Sequence, residues 1–170
     1  MPGTGEENVG MHLQNLKDRL AEIADLQDSA AVLEWDQQTQ MPTAGSARRA
    51  EQVATLQKFS HRLLTSTELR QVLDGAEAEA SRLDPDHDDR RLVEVTRRDL
   101  DEASKLPEEL VTERARHSAL ALEVWAEARS LDDFSRFAPI LQKTIDLEKQ
   151  VAECRGYSGH AYDALLHAYE

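Results

Sequence analysis

The chain has little of what builds sheets, secreted scaffolds or membrane spans. Its single cysteine, Cys154, excludes an intrachain disulfide and gives no sign of an oxidising compartment, so a cytoplasmic setting is expected. Aromatic residues are only 5% of the total. No window alternates β-branched residues at period two, and no Asn-Gly or Asp-Gly pair separates two apolar runs, so no sheet is expected. The seven glycines are scattered at the start, in turns and at helix ends. None forms the glycine-rich loop that cradles phosphate, so nucleotide binding has no support. No apolar run approaches the roughly 20 residues of a membrane span. The opening Met1-Pro2-Gly3-Thr4-Gly5-Glu6-Glu7-Asn8 lacks both the basic start and the apolar run of a signal peptide, and residues 1–8 read as a disordered tail. Positive charge is scarce too. Twenty Lys and Arg against 33 Asp and Glu give a formal net charge of −13, which repels phosphate backbones and anionic lipid and argues against a nucleic-acid or membrane partner.

What is abundant is Ala, Leu, Glu, Arg and Gln, the residues that lose least side-chain freedom in a helix. Leu13, Leu16, Leu20 and Ile23 recur at spacings of three, four and three, one stripe of a helix that Ala30 and Leu33 extend, with a bend near Asp28-Ser29. Met41-Pro42-Thr43-Ala44-Gly45 stops that helix. A second runs from Ala47 to Leu64 with Ala50, Val53, Leu56 and Leu63 inward. Thr65-Ser66-Thr67-Glu68 has capping-box spacing for a third, which holds Leu69, Val72 and Leu73. After a turn at Leu83-Asp84-Pro85-Asp86, the residues Leu92, Val95, Thr96, Leu100 and Ala103 mark a fourth. Pro107 opens a fifth, with Glu108 and Glu109 at the positive end of the helix dipole. Its inward stripe reads Val111, Ala115, Ser118, Leu122 and Trp125. Phe134, Phe137, Leu141, Ile145 and Val151 mark a sixth that Gly156 caps, and a last helix covers Ala161 to Tyr169. The expectation is an all-α fold, six or seven helices in an elongated bundle of antiparallel hairpins forming one domain over residues 9–170.

Candidate chemistry is thin. A helical zinc peptidase site needs histidines at i and i+4, so that both imidazoles reach one ion. Among His12, His61, His87, His117, His160 and His167 no two stand four apart. His160, Asp163 and His167 share a helix face, but the two histidines lie about 10 Å apart along the axis, so a capping or ion-paired cluster is the plainer reading. Cys154 sits mid-helix between Glu153 and Arg155 and reads as a packing residue. Arg90-Arg91 and Arg97-Arg98, seven residues apart and interspersed with acids, read as an exposed ion-paired face, with an anionic ligand as the alternative. One segment is unusual. Trp35 lies within Glu34-Trp35-Asp36-Gln37-Gln38-Thr39-Gln40-Met41, an amide-rich stretch before a helix stop, where it is either a core anchor or part of a cleft lining.

That segment, Val32-Leu33-Glu34-Trp35-Asp36-Gln37-Gln38-Thr39 with Met41-Pro42, resembles the amino-terminal signature of the carboxypeptidase Taq metallocarboxypeptidases. Ala50 to Leu56, Lys105 to Val111, Asp133-Phe134 with Phe137-Ala138-Pro139, and Tyr162 to Leu166 with Tyr169-Glu170 resemble that family in the same order. Gln40 and Thr43-Ala44 depart from it at the turn. The resemblance implies a largely helical, often homodimeric enzyme several hundred residues long. In it a His-Glu-x-x-His helix and a downstream glutamate bind zinc or cobalt in a deep groove and free C-terminal amino acids from peptides. None of those residues maps onto this chain. The expected role is therefore the groove's amino-terminal wall, with no catalytic or metal residue of its own and with Trp35, Asp36, Gln37 and Met41 as candidate groove-lining residues. Its expected partners are the C-terminal catalytic portion, a peptide substrate and a second copy. The alternative is a stand-alone helical interaction or dimerisation module without catalytic activity.

Overall fold

Seven α-helices and one 3₁₀ turn make up the regular structure of residues 10–166, which are those the computed structural model describes. The helices are α1 (Met11–Thr39), α2 (Ser46–Leu64), α3 (Thr67–Ala80), α4 (Asp88–Ser104), α5 (Glu108–Ser130), α6 (Phe134–Arg155) and α7 (Asp163–Leu166), with the 3₁₀ turn at Thr43–Gly45 between α1 and α2. The fold is all-α, with no strand among the described residues. The tail read over residues 1–8, His167 and the end of the last helix at Tyr169 lie outside them. Helix α1 continues through Asp28-Ser29, where the sequence suggested a bend. Within the span read as one domain the described residues group into two compact units, residues 10–25 with 60–104 and residues 26–59 with 105–166.

In the first unit the expected seam is present. Leu13, Leu16 and Ile23 of α1 pack with Leu69, Leu73, Ala76 and Ala80 of α3 and with Val93 and Leu100 of α4. Two details differ from the sequence reading. Val95 is exposed and Val93 takes its place in the core. The two valines stand about 200° apart around the helix, so only one can face α3. Val93, Thr96 and Leu100 form the continuous inward stripe, and the Thr96 hydroxyl is satisfied by donating to the Leu92 carbonyl at 2.7 Å. The cap of α3 is Ser66, not Thr65. Its Oγ accepts from Leu69 N–H at 3.1 Å while donating to the Leu63 carbonyl at 2.8 Å, so one hydroxyl serves the end of α2 and the start of α3. The arginine pairs of α4 are ion-paired. Arg97 reaches Asp74 at 2.5 Å and Glu77 at 2.6 Å, Arg91 reaches Asp86 and Arg90 reaches Glu94.

The first turn of α1 carries no acid, and its amides are served from α3. The buried Glu79 carboxylate accepts from His12 N–H at 3.1 Å and from Leu13 N–H at 2.9 Å. One turn before it, Gly75 lets the His12 ring lie where a Cβ would come within 2.5 Å. Burial pushes the Glu79 carboxyl up, yet the amides of Leu13 and His12, followed by the charge on His12, outweigh it and hold the group below the ordinary glutamate range.

In the second unit α5 and α6 form an antiparallel hairpin closed by Leu131, Asp132 and Asp133, with Asp132 in the left-handed region at φ 51°. Leu110 packs with Leu147 and Val151, and Leu106, Cys154 and Leu165 close over that cluster. Gly156 ends α6 at φ 79°, its N–H donating to Ala152. Cys154 is a partly buried packing residue.

Because the Glu79 pKa is depressed in the fold, its contribution is complete above about pH 4.3, the unfolded value, and is lost as pH falls through the lower folded value. Glu79→Gln is expected to cost about 1–2 kcal/mol in urea denaturation at pH 7. The difference from the parent should narrow at pH 2.5, and an equal deficit at both pH values would contradict the cap.

Candidate functional site

Val111, Ala115, Ser118, Leu122 and Trp125 recur along α5 at helical period, which is why the sequence reads them as buried. None of the five is buried. Leu110, His117, Ala119 and Ala128 are the buried residues of α5, and the predicted stripe instead lines a cavity of about 540 Å³ between the end of α1, α2, α5 and α6. The period was correct, but no element among the described residues buries the stripe. Trp125 is 41% exposed, and the Arg129 guanidinium lies 5.1 Å from its ring centroid. On α6, Phe134 and Ile145, which mark the helix in the sequence, are exposed, whereas Leu147, Val151 and Ala152 are buried. Phe137 and Leu147 turn to the cavity.

The end of α1 is held from two sides. Arg49 of α2 bonds Asp36 at 2.6 Å and donates from its other nitrogen to the Leu33 carbonyl. Gln37 Nε2 donates to the Ala119 carbonyl of α5 at 2.7 Å. Consecutive helical residues turn by about 100°, so residues two apart point to nearly opposite sides. Gln37 accordingly lines the cavity with Glu34 and Gln38, while Trp35 lies outside that lining and is 62% exposed. Met41 folds back on the 3₁₀ turn, where a Cβ on Gly45 would stand 3.2 Å from Met41 Cγ and Sδ. The structure therefore does not gather Trp35, Asp36, Gln37 and Met41 onto one surface.

Most of the charges around the cavity are paired with one another. Arg114 bonds Glu148 at 2.8 Å across the α5–α6 hairpin. His117 Nε2 lies 2.9 Å from Thr144 Oγ1, whose hydroxyl donates to the Ile140 carbonyl at 3.1 Å and so accepts from the imidazole. Arg116 holds both carboxylate oxygens of Glu51 on α2 at 2.6 and 3.2 Å and reaches Glu113 at 2.9 Å, and Lys143 of α6 bonds the second Glu113 oxygen. This chain of four charges ties α2, α5 and α6 together. The hydrogen bond from Lys143, then that from Arg116, holds the Glu113 carboxyl below its ordinary range, and the Arg116 hydrogen bond does the same for Glu51.

Such a lining favours binding over bond-breaking. It offers an apolar floor with the Gln37, Gln38 and Gln57 amides at one side, and the Arg114 and Glu148 charges in it are bonded to each other. Among the described residues no group of three or more His, Cys, Asp or Glu could hold a metal ion, so the metal implied by the resemblance does not fit them. His160 and Asp163 are engaged locally. Asp163 Oδ2 accepts from His160 N–H at 3.0 Å, and His160 Nδ1 accepts from Tyr162 N–H at 3.1 Å. The sequence reading did not single out Gln57, Arg114, His117, Thr144 or Glu148 as cavity residues. Ser118 within an otherwise apolar stripe was the available sign that this face of α5 is not an ordinary core face.

Residues 15–170 match the family model described as carboxypeptidase Taq (M32) metallopeptidase. The chain is 36% identical over 140 residues to thermostable carboxypeptidase 1 of Pyrococcus furiosus, covering 82% of this chain and 28% of that protein. It is 31% identical over 153 residues to carboxypeptidase 1 of Bacillus subtilis, covering 90% of this chain and 30% of that protein. The crystal structure of BsuCP superposes with a TM-score of 0.88 at 30% identity over 94% of this chain and 32% of its own. The chain thus spans less than a third of the length of these relatives and aligns with their amino-terminal part.

Arg116→Met should lower the thermal midpoint by about 2 °C at pH 7 and low salt. Both carboxylates it holds are depressed in the fold, so their contribution is present above about pH 4.3 and disappears on acidification. The deficit is expected to shrink at pH 3 and in 1 M salt. A deficit independent of both would mean that lost packing, not charge, is responsible.

Proposed function

The chain belongs to the carboxypeptidase Taq (M32) metallopeptidase family, and from that membership we propose that it is the amino-terminal helical region of a metal-dependent carboxypeptidase that removes C-terminal residues from peptides. In this reading it walls the substrate groove and restricts access to chain ends, while the metal, zinc or cobalt, and the bond-breaking groups belong to the C-terminal catalytic portion. The carrying observation is the end of α1. Asp36 and Gln37 are anchored to α2 and α5, and immediately before them Trp35 stands exposed. An exposed aromatic whose neighbours in the helix are anchored is suited to resting against a peptide, because the ring offers apolar area at little entropic cost.

The other reading, a stand-alone helical interaction or dimerisation module, is favoured by the exposure of Val32, Leu131, Phe134 and Tyr162. Sedimentation separates the two, because the module reading requires a dimer or a captured partner in the absence of any catalytic portion.

Incubated alone with zinc or cobalt and a blocked dipeptide, the chain is expected to release no amino acid above background; metal-dependent release would overturn the assignment of chemistry to the other portion. A chimera tests the wall itself. With this chain replacing the matched region of the Bacillus subtilis carboxypeptidase, Trp35→Ala should raise KM about 3–10-fold and leave kcat nearly unchanged, the signature of lost uniform binding. An unchanged KM would remove Trp35 from the groove.

A further inference from the structure

The uncovered stripe of α5 calls for an occupant. Val111 to Trp125 spans fourteen helical steps, about 21 Å along the axis, which is the reach of a helix and not of one side chain. The apolar floor formed by Leu122, Trp125 and Phe137 lies beside the amides of Gln38 and Gln57. Arg114 and Glu148 already neutralise each other there, so an entering element needs no charge to meet either of them. The relatives supply the length, since they carry more than twice as much chain again beyond the region matched here. We propose that this cavity is the seat of an amphipathic helix from the C-terminal portion of the same enzyme, its apolar face on the α5 stripe and its polar edge on the Gln38 and Gln57 amides.

The inference rests on the family reading above but assigns the cavity to assembly and not to substrate. The division follows from α1, where Gln37 turns into the cavity and Trp35 turns out of its lining. A helix in that seat would press on the face that holds Gln37, and through it on the helix end that presents Trp35. The catalytic portion would thereby fix the wall that confronts its own substrate.

The test uses Ala115→Arg, which places a long side chain in the cavity without removing a contact, and Leu122→Gln, which makes the floor polar. In the chain alone both should shift the thermal midpoint by less than about 1–2 °C. In the Bacillus subtilis chimera both should lower it by about 5 °C or more, the effect of an obstructed internal interface. The dye 1-anilinonaphthalene-8-sulfonate should bind the chain alone and be lost in Ala115→Arg. Equal destabilisation in chain and chimera would make the stripe an ordinary core. No effect in either, or a dye that ignores the substitution, would leave the cavity facing solvent and overturn the proposal. A dimer of the chain alone that Ala115→Arg dissociates would make a second copy the occupant. A chimera without a cooperative melt would also count against the seat, because the face would then not accept the family's own catalytic portion. Since every readout is stability or dye binding, failure here is distinct from an unchanged KM in Trp35→Ala.

Discussion

The antiparallel pairing of α5 with α6 is the constraint on which the second unit depends. Leu110 against Leu147 and Val151 fixes one end of the hairpin, and His117 with Thr144 holds its middle. Once that register is set, Leu110, His117 and Ala128 are committed to buried positions and the stripe from Val111 to Trp125 has to point elsewhere. A helix that pairs along one face cannot also bury a second without another layer. The cavity is therefore the necessary remainder of a helix that is apolar on more than one side, not a fault in packing.

Charge reinforces the same register. Glu113 lies between Arg116 of its own helix and Lys143 of α6, and Arg116 passes the connection on to Glu51 of α2. Each such pair is worth little at a surface, but a chain of four spanning three helices is sensitive to their relative shift, because one displaced member loosens the others. In the first unit a single carboxylate does comparable work. Glu79 supplies α1 with the cap that its own first turn lacks, and Gly75 leaves room for the His12 side chain beside it. Burial of that carboxylate is tolerable because two backbone amides meet it.

Helix boundaries were largely legible in the sequence because their causes are local. Pro42, Pro107 and Gly156 act through their own backbone, and the structure has helix limits where these residues predict them. Facing was less legible, because it depends on the partner. Val93 and Val95 are equally apolar and only the position of α3 chooses between them. Thr65 and Ser66 are both competent caps, and the exit of α2 decides for Ser66. The α5 stripe is the most instructive case. Periodicity identifies a face that avoids water but does not say which molecule, or which part of one, covers it. The cavity's ion pair was invisible for a related reason, since Arg114 and Glu148 are separated by a whole hairpin and meet only in three dimensions.

The geometry of a helix divides the motif that carries the resemblance. Glu34 to Gln38 covers more than a full turn, so these side chains cannot all face one compartment. Asp36 is held by α2, Gln37 by α5, and Trp35 is left exposed. A segment whose residues serve support and display at once has little freedom to vary, because a change on the supporting side displaces the displayed one. Gln37→Leu illustrates the coupling. It would keep the volume near the Ala119 carbonyl but remove the amide that grips it, so the end of α1 would remain helical while its rotation about its own axis became less defined. In the reading proposed above, that loss would reach the groove through the orientation of Trp35, although Gln37 itself faces the cavity on the other side.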